Sequence, residues 1–314
     1  MNEADFIAAL RALATDPAAR GLLDDAAVLP ASGDLVLTHD MLVEGVHFLP
    51  TDPPGDVAWK LLAVNLSDLA GKGATPRGVL LGYSLRGDAT WDRAFLRGLH
   101  EALDTLDVKL LGGDTVAYGH GPRVLSLTAI GDAPPEGAPT RSGARAGDQI
   151  WVSGTIGDAG PGLRIAQADD RGGDPFLLGR YRRPVPRLAL GAAIAPLVSA
   201  MMDVSDGLLI DLSRLAAASK MSGTVDLDTV PLSAACRDVE GNTRTARLAA
   251  VTAGDDYELL FAAPPTAGEA LLAAAREVGV PLSRIGTIED SGGVRLFDAA
   301  GNVPLPSRLG YEHG

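Results

Sequence analysis

Phe6, Ile7, Leu10 and Leu13 recur near helical spacing, so residues 3 to 14 are predicted to form an amphipathic helix. A break follows at Asp16-Pro17, and DDAAVLP, residues 24 to 30, opens a short strand. Residues 34 to 40 and 42 to 49 read as extended, with Gly45 as a turn former and Pro50 closing the run. Ala58, Leu61, Leu62 and Asn65 follow a helical period across residues 55 to 70, before a β-like run at 78 to 86. Phe95, Leu96, Leu99 and Leu103 mark one face of a helix over 91 to 106, and strands are expected at 107 to 111 and 123 to 131.

The Pro- and Gly-rich segment APPEGAP, 133 to 139, interrupts this pattern and is the best domain boundary in the chain. Beyond it, the alternation in QIWVSG begins a new sheet, and helical spacing returns at 161 to 168 and 187 to 199. In MMDVSDGLLIDLSRLAAAS, Ser205 or Asp206 is placed to cap a helix running to about Ser219. Strands at 224 to 228 and 257 to 262, a helix at 266 to 278, and strands near 283 to 288 and 293 to 297 follow. Strands and helices mix in both halves, so the expected class is α+β: two α/β domains, residues 1–138 and 139–314, the second with a mixed sheet.

The aspartates give this pattern a chemistry. Apolar runs end repeatedly on one: LVLTHD at Asp40, AVNLSD at Asp68, VKLLGGD at Asp114, MMDVSD at Asp203 and Asp206, and AAVTAGDD at Asp255 and Asp256. One such residue alone is an ordinary turn former or cap. As a set, with Asp24 and Asp25, they are expected to converge on divalent metal and polyphosphate. Carboxylates within about 5 Å of each other repel by roughly 3 kcal/mol per pair at an effective dielectric near 20, so such clustering calls for cations. Asp-rich donors without Cys or clustered His favour Mg²⁺ over zinc.

A formal net charge of -13 argues against nucleic-acid or anionic-membrane partners, and 46% hydrophobic content over 314 residues is enough for two buried cores. Cys236 is the one cysteine, which fits a reducing, cytoplasmic compartment; no secretory signal or membrane span is apparent. Gly112-Gly113-Asp114 permits close backbone approach to phosphate. The Gly71-Lys72-Gly73 segment is not a Walker A loop, and no G-x-S-x-G element occurs, so Ser205 reads as a cap or phosphate contact. His47, seven residues beyond Asp40, is a candidate ligand contact, weighed against a structural role.

Taken together, DDAAVL, THD with VEGVHF, NLSDLAGKGATP, LLGGDT, TRSGARAGD, DVSDGLLIDL, AGDDYELLF and the terminal GYEH resemble the thiamine-monophosphate kinase family, in order over nearly the whole chain. Aminoimidazole ribonucleotide synthetase and selenophosphate synthetase share the architecture without this full series. The resemblance implies ATP-dependent phosphorylation of thiamine monophosphate, an N-terminal domain that dimerises through a shared sheet barrel, and a C-terminal domain closing the active-site cleft. It implies a metal shell of Asp24, Thr38, His39 through its backbone, Asp40, Asp68, Asp114, Asp203 and Asp206, with Asp68, Asp114 and Asp203 central to catalysis. Gly113, Asp114, Arg141 and Ser205 would meet ATP, and His47, Asp255 and Tyr311 would hold thiamine monophosphate. A monovalent-cation requirement stays open. Leu23, His39 and Asp255 stand where the family usually has Gly, Thr and Glu. The alternatives are another ATP-dependent synthetase of the superfamily and a non-catalytic nucleotide or metal binder.

Overall fold

The computed structural model describes residues 2–23, 26–168, 172–291 and 293–312. The chain divides into two compact units. The first comprises Met1–Leu69 and Thr75–Ala133, and the second Ala70–Ala74 and Pro134–Gly314.

The first unit opens with α1 (Glu3–Arg11), capped by the Asn2 side chain, which accepts from Asp5 N at 2.8 Å. After a 3-10 turn at Pro17–Leu22, no strand forms over 26–30, where Pro30 and few paired amides end the pattern early. β1 (Leu35–Val43) is one continuous strand, and the chain turns at 44–49 rather than extending. The turn is closed by Gly45 N donating to Phe48 O at 2.8 Å, with Gly45 at φ 82°. α2 (Pro54–Ala70), β2 (Thr75–Leu85), α3 (Ala89–Thr105), β3 (Leu110–Ala117) and β4 (Val124–Asp132) complete the unit. The strands form an open sheet in the order β1-β4-β2-β3, and one chain makes no closed barrel among the described residues. Period-two alternation separates its faces: Val79, Leu81, Tyr83, Leu125, Leu127 and Ala129 are buried. Tyr83 stacks on Phe6 of α1 and packs on Phe95 of α3, so these residues mark the helix-covered face. A Cβ on Gly98 of α3 would sit 2.2 Å from Gly55 Cα of α2, so the helices cross at a contact only glycine allows.

The second unit contains β5 (Gln149–Ser153), α4 (Ala159–Gln167), α5 (Pro175–Arg182), α6 (Leu188–Ile194), β6 (Ala200–Asp203), α7 (Leu208–Ala218) and β7 (Ser222–Asp226). It continues with α8 (Ala234–Glu240), α9 (Arg244–Thr252), β8 (Leu259–Ala263), α10 (Gly268–Val278), β9 (Leu282–Glu289), β10 (Val294–Asp298) and β11 (Gly301–Val303). The mixed sheet runs β11-β10-β7-β9-β5-β8-β6, with β7 and β10 parallel and the other pairs antiparallel. Ile150, Val152, Met202 and Leu260 face a core shared with α7, while Trp151, Met201 and Phe261 face one shared with α6 and α10. Both faces are covered, which is why β6 and β8 are apolar at every position up to Asp203.

Two local expectations need correction. Ser205 and Asp206 do not cap α7. Its N-cap is Gly207 at φ 131°, and Asp211 in the first turn reaches back to accept from the amides of Ser205, Asp206 and Gly207 at 3.0, 3.0 and 3.2 Å. Gly112-Gly113-Asp114 lies inside β3 rather than in a loop after it. A Cβ on Gly113 would fall 1.9 Å from Leu81 O, so the glycine is needed by the β2–β3 pairing, whose register shifts at Val79/Leu80.

Candidate functional site

In the first unit, α2 brings two of the candidate oxygen donors together. Thr38 on β1 donates its hydroxyl to Asp68 Oδ2 in the last turn of α2, and the amide of Asp40 donates to Asn65 Oδ1 at 2.9 Å. Asn65 is itself fixed in the helix, its side-chain nitrogen donating to Leu61 O at 2.9 Å. The polar stretch around Asp68 is helix, as the period across 55 to 70 predicted: Asn65 and Ser67 are buried, and Asp68 is half-buried. His39 projects on the other face of β1, where its Nδ1 lies 2.9 Å from Thr128 Oγ1. On that face a cavity of about 640 Å³ is lined by His39, Gly112, Gly113, Asp114 and Thr128 together with α1 residues Ile7 and Leu10.

Asp114 does not join Thr38, Asp40 and Asp68 within one chain. β1 and β3 are the two edges of the sheet, with β4 and β2 between them. Asp40 pairs with Leu127, Leu127 with Leu81 and Gly82 with Asp114, so Asp114 belongs to the neighbouring row and the opposite face from Asp40. His47, in the turn after β1, accepts at Nδ1 from Val43 N at 3.1 Å, and Lys60 Nζ holds its carbonyl at 3.1 Å. An acceptor Nδ1 leaves the proton on Nε2, the tautomer suited to donate toward an anion. Asp24 lies outside the described residues.

In the second unit, three distant segments meet. Asp255 N donates to Ser205 O at 2.8 Å, Tyr257 N to Val204 O at 2.8 Å, and Tyr311 N to Asp206 O at 2.9 Å. Asp203, Ser205, Asp206, Asp255 and Tyr311 thus share one end of the sheet, beside the C-terminal end of β6. Gly310 is needed there, because a Cβ would lie 2.5 Å from Asp206 O and 2.3 Å from Ile210 Cγ2. Tyr311 is 47% exposed. Arg214 bridges Asp206 and Asp211, at 2.5 and 2.8 Å. Burial, then the Asp206 charge, pushes the Asp211 carboxyl up from the ordinary range. Arg141 is exposed, its carbonyl accepting from Ser219 Oγ at 2.9 Å. The neighbouring Thr140 O accepts from Met201 N at 3.1 Å, which lays this segment along β6.

Asp255 and Tyr257 both adopt left-handed backbone, at φ 69° and 50°. Each such residue with a Cβ costs about 1–2 kcal/mol, so the surroundings must hold them there. Beneath them lies a buried charge network. Asp256 and Glu258 are both 0% exposed. Asp256 Oδ2 accepts from Gly157 N at 2.7 Å, and Glu258 is held by Arg180, Arg187 and the Ser153 hydroxyl at 2.9, 2.5 and 2.6 Å. A Cβ on Gly154 would fall 2.2 Å from Glu258 Oε1, so the glycine makes room for this carboxylate. Burial pushes the Asp256 carboxyl up to about 8, against the opposing pull of Arg180. It is therefore mostly neutral at pH 7.

Arg180, Arg187, Asp211 and Glu258 were not among the candidates read from the sequence, and Asp256, read there as one of the converging aspartates, is instead fully buried against Gly157 N. The segment DDYELL carried a usable signal: Asp256 and Glu258 are interleaved with Tyr257 and Leu259 in a run, 256 to 260, that is buried throughout. Nothing in local spacing marks Arg180 or Arg187 as their partners, more than seventy residues away. Lys72, read only as part of a failed Walker loop, donates to Pro139 O at 3.2 Å and Met201 O at 3.1 Å.

Among the described residues, no three His, Cys, Asp or Glu side chains come close enough to hold a metal ion by themselves. The donors that do gather are oxygens, the Thr38 hydroxyl with the Asp68 carboxylate and the Asp203 and Asp206 carboxylates near one strand end. That chemistry fits Mg²⁺, which keeps water and takes one or two carboxylates plus substrate phosphates rather than a protein-only cage.

Comparison with known proteins gives two family-model matches, to the AIR synthase related protein N-terminal domain over residues 23–133 and its C-terminal domain over 145–299. The chain is 43% identical to a thiamine-monophosphate kinase of Caulobacter vibrioides over 322 aligned residues, covering 100% of this chain and 91% of the relative. It is similar to the crystal structure of a thiamine-monophosphate kinase from Stenotrophomonas maltophilia, with TM-score 0.83 and 41% identity over 93% of this chain and 94% of that one. It is also similar to AaThiL complexed with AMPPCP and TMP, with TM-score 0.77 and 30% identity over 92% and 91% of the two chains.

Proposed function

The chain belongs to the thiamine-monophosphate kinase family, and on that premise we infer that it transfers the γ-phosphoryl group of ATP to thiamine monophosphate, giving thiamine diphosphate and ADP. The observation that carries this reading is the 43% identity running over the whole chain to a thiamine-monophosphate kinase. A relative solved with AMPPCP and TMP supports the same pair of substrates.

In this reading a phosphate oxygen of thiamine monophosphate attacks the γ-phosphorus of ATP in line, and the β–γ bridging oxygen leaves with ADP. Catalysis of this kind is mainly positioning and charge stabilisation. His47, with its proton fixed on Nε2, donates to the acceptor phosphate, while Asp255 and the half-exposed Tyr311 ring hold the cationic thiamine moiety. Gly113, Arg141 and Ser205 meet ATP. Thr38, the His39 carbonyl, Asp40, Asp68, Asp114, Asp203 and Asp206 with Asp24 would hold Mg²⁺, which when bound would supply the countercharge that lets two polyanions approach. The side chains of this set place oxygen donors only, and their own task is to keep those oxygens in register with the phosphates. The described helices include none long and apolar enough to cross a membrane.

The first unit is also the dimerisation unit in this reading. Leu37 and Met41 on edge strand β1 are 62% and 48% exposed, and Val116 on edge strand β3 is 54% exposed, so both edges pair best with a second copy. Because Asp40 and Asp114 sit on opposite edges of one sheet, a shared metal shell takes Asp114 from the second copy.

The test is incubation with ATP, Mg²⁺ and thiamine monophosphate, followed by chromatography of the thiamine species. Thiamine diphosphate and equimolar ADP are expected. ATP consumption without thiamine diphosphate, or binding without turnover, would overturn the assignment.

A further inference from the structure

We propose that Arg180 is a positioning residue for the acceptor: it fixes the left-handed turn at 255–257 and so sets the direction in which Asp255 presents its carboxylate. The proposal rests on the reading of Asp255 as a thiamine-monophosphate contact and adds the device that holds it.

A single nitrogen of Arg180, Nη2, donates both to the backbone carbonyl of Asp256 and to Glu258 Oε1, each at 2.9 Å. These two acceptors flank Tyr257, one of the two strained residues. Arg187 also binds Glu258, through Nε at 2.7 Å, but no bond joins it to the turn's backbone in the same way. Arg180 is 8% exposed, and its Nε lies 3.8 Å from the buried Asp158 carboxylate, which is fixed in turn by Thr155 and by Ser233 Oγ at 2.6 Å. The guanidinium is therefore anchored from α4 and α8 as well as from β8. On the open side, the Tyr257 hydroxyl donates to Asp255 Oδ1 at 3.0 Å. Rotation of the turn at Tyr257 would carry this hydroxyl, and with it the Asp255 carboxylate, away from Ser205 and Tyr311. Nη2 is aimed at both acceptors because the guanidinium plane is also held at Nε from the Asp158 side, whereas a lysine ammonium has no second nitrogen to fix its position there.

Arg180→Lys keeps the charge, and Arg187 keeps Glu258 paired, so the variant is suited to separate position from stability. The expected result is a KM for thiamine monophosphate raised about tenfold, with kcat and the KM for ATP within about threefold of the parent. Hydrogen exchange in a peptide spanning 254–258 should be faster, with the remaining strands of the sheet unchanged. Asp255→Ala should raise the same KM, and Arg180→Lys should add nothing further in that background, because both act through one carboxylate. Arg180→Gln serves as a second variant if the lysine variant does not fold. An unchanged KM in Arg180→Lys beside a raised one in Asp255→Ala would overturn the positioning role alone. An unchanged KM in Asp255→Ala would overturn the acceptor reading of Asp255 and the proposal with it. Additive effects, or failure of both Arg180 variants to fold, would make Arg180 a residue of the core only.

Discussion

The candidate residues of the first unit stand on an open sheet, whereas those of the second stand on a turn bolted to its core. Thr38, Asp40 and Asp114 lie along edge strands, and Asp68 stands in the last turn of a helix that Asn65 already fixes. Asp255 instead owes its place to two left-handed residues and to the buried Glu258 carboxylate that Arg180 and Arg187 neutralise. Removing one member of such a buried pair costs about 3–5 kcal/mol, far more than losing a half-exposed side chain. Function should thus be separable from stability in the first unit and entangled with it in the second.

The largest effect expected on that basis is at Asp68. Asp68→Asn keeps the size and the contact with Thr38 but loses the charge, so kcat should fall by on the order of 10³. The melting temperature should stay within a few degrees, as usual for a half-exposed position. Near-normal turnover would remove Asp68 from the metal shell. A recovery experiment sharpens the same contrast. Asp40→Asn and Asp114→Asn should each be inactive alone, yet refolding them together should restore about a quarter of parental activity, since half the dimers are hybrids with one intact site. No recovery, with dimers confirmed by light scattering, would return Asp114 to a site within one chain.

The second unit should answer to pH. The Asp256 carboxyl is raised from 3.8 to about 8 by burial. A carboxyl raised in the folded state contributes stability that is fully present below about pH 4 and is lost as pH rises through about 8. Asp256→Asn copies the neutral form: its oxygen can accept from Gly157 N and its amide replaces the proton. Its melting temperature relative to the parent should therefore rise steadily between pH 4 and pH 8 and level off above. Parallel curves for the two proteins would mean that Asp256 is ionised in the fold.

Legibility in the sequence followed the same division. Helices such as α2 and α3 and the strand β4 were visible because their apolar faces keep a period over many residues. The helices α5, α8 and α9 were not read from the sequence, because in PFLLGRYR, AACRDVE and RTARLAAVT charged residues interrupt the apolar positions. The strand expected before residue 30 failed because an apolar run without a ladder partner stays irregular. At the site, the aspartates were legible one by one as polar ends of apolar runs. Their convergence was expected of the set, but which of them meet was not legible, because Asp206, Asp255 and Tyr311 are brought together by backbone bonds that leave no trace in side-chain pattern. The cap of α7 was misread for the same reason: Asp211 accepts from three preceding amides, a bond set that Ser205 or Asp206 would compete for on local grounds alone.

The smallest effect is expected at His39, and it tests how far the first unit tolerates change beside its donors. The His39 ring lies on the cavity face against Thr128, while the neighbouring Thr38 and Asp40 face α2. If only its carbonyl serves the metal shell, the side chain is free to vary. A threonine at this position keeps the β propensity of the strand and can still hydrogen-bond Thr128 across the β1–β4 pair. His39→Thr should therefore leave kcat and both KM values within about twofold of the parent, with a melting temperature shifted by no more than a few degrees. A tenfold loss of kcat would instead make the imidazole itself a participant, and would move the centre of the site from the α2 face of β1 to the cavity that His39 shares with Asp114.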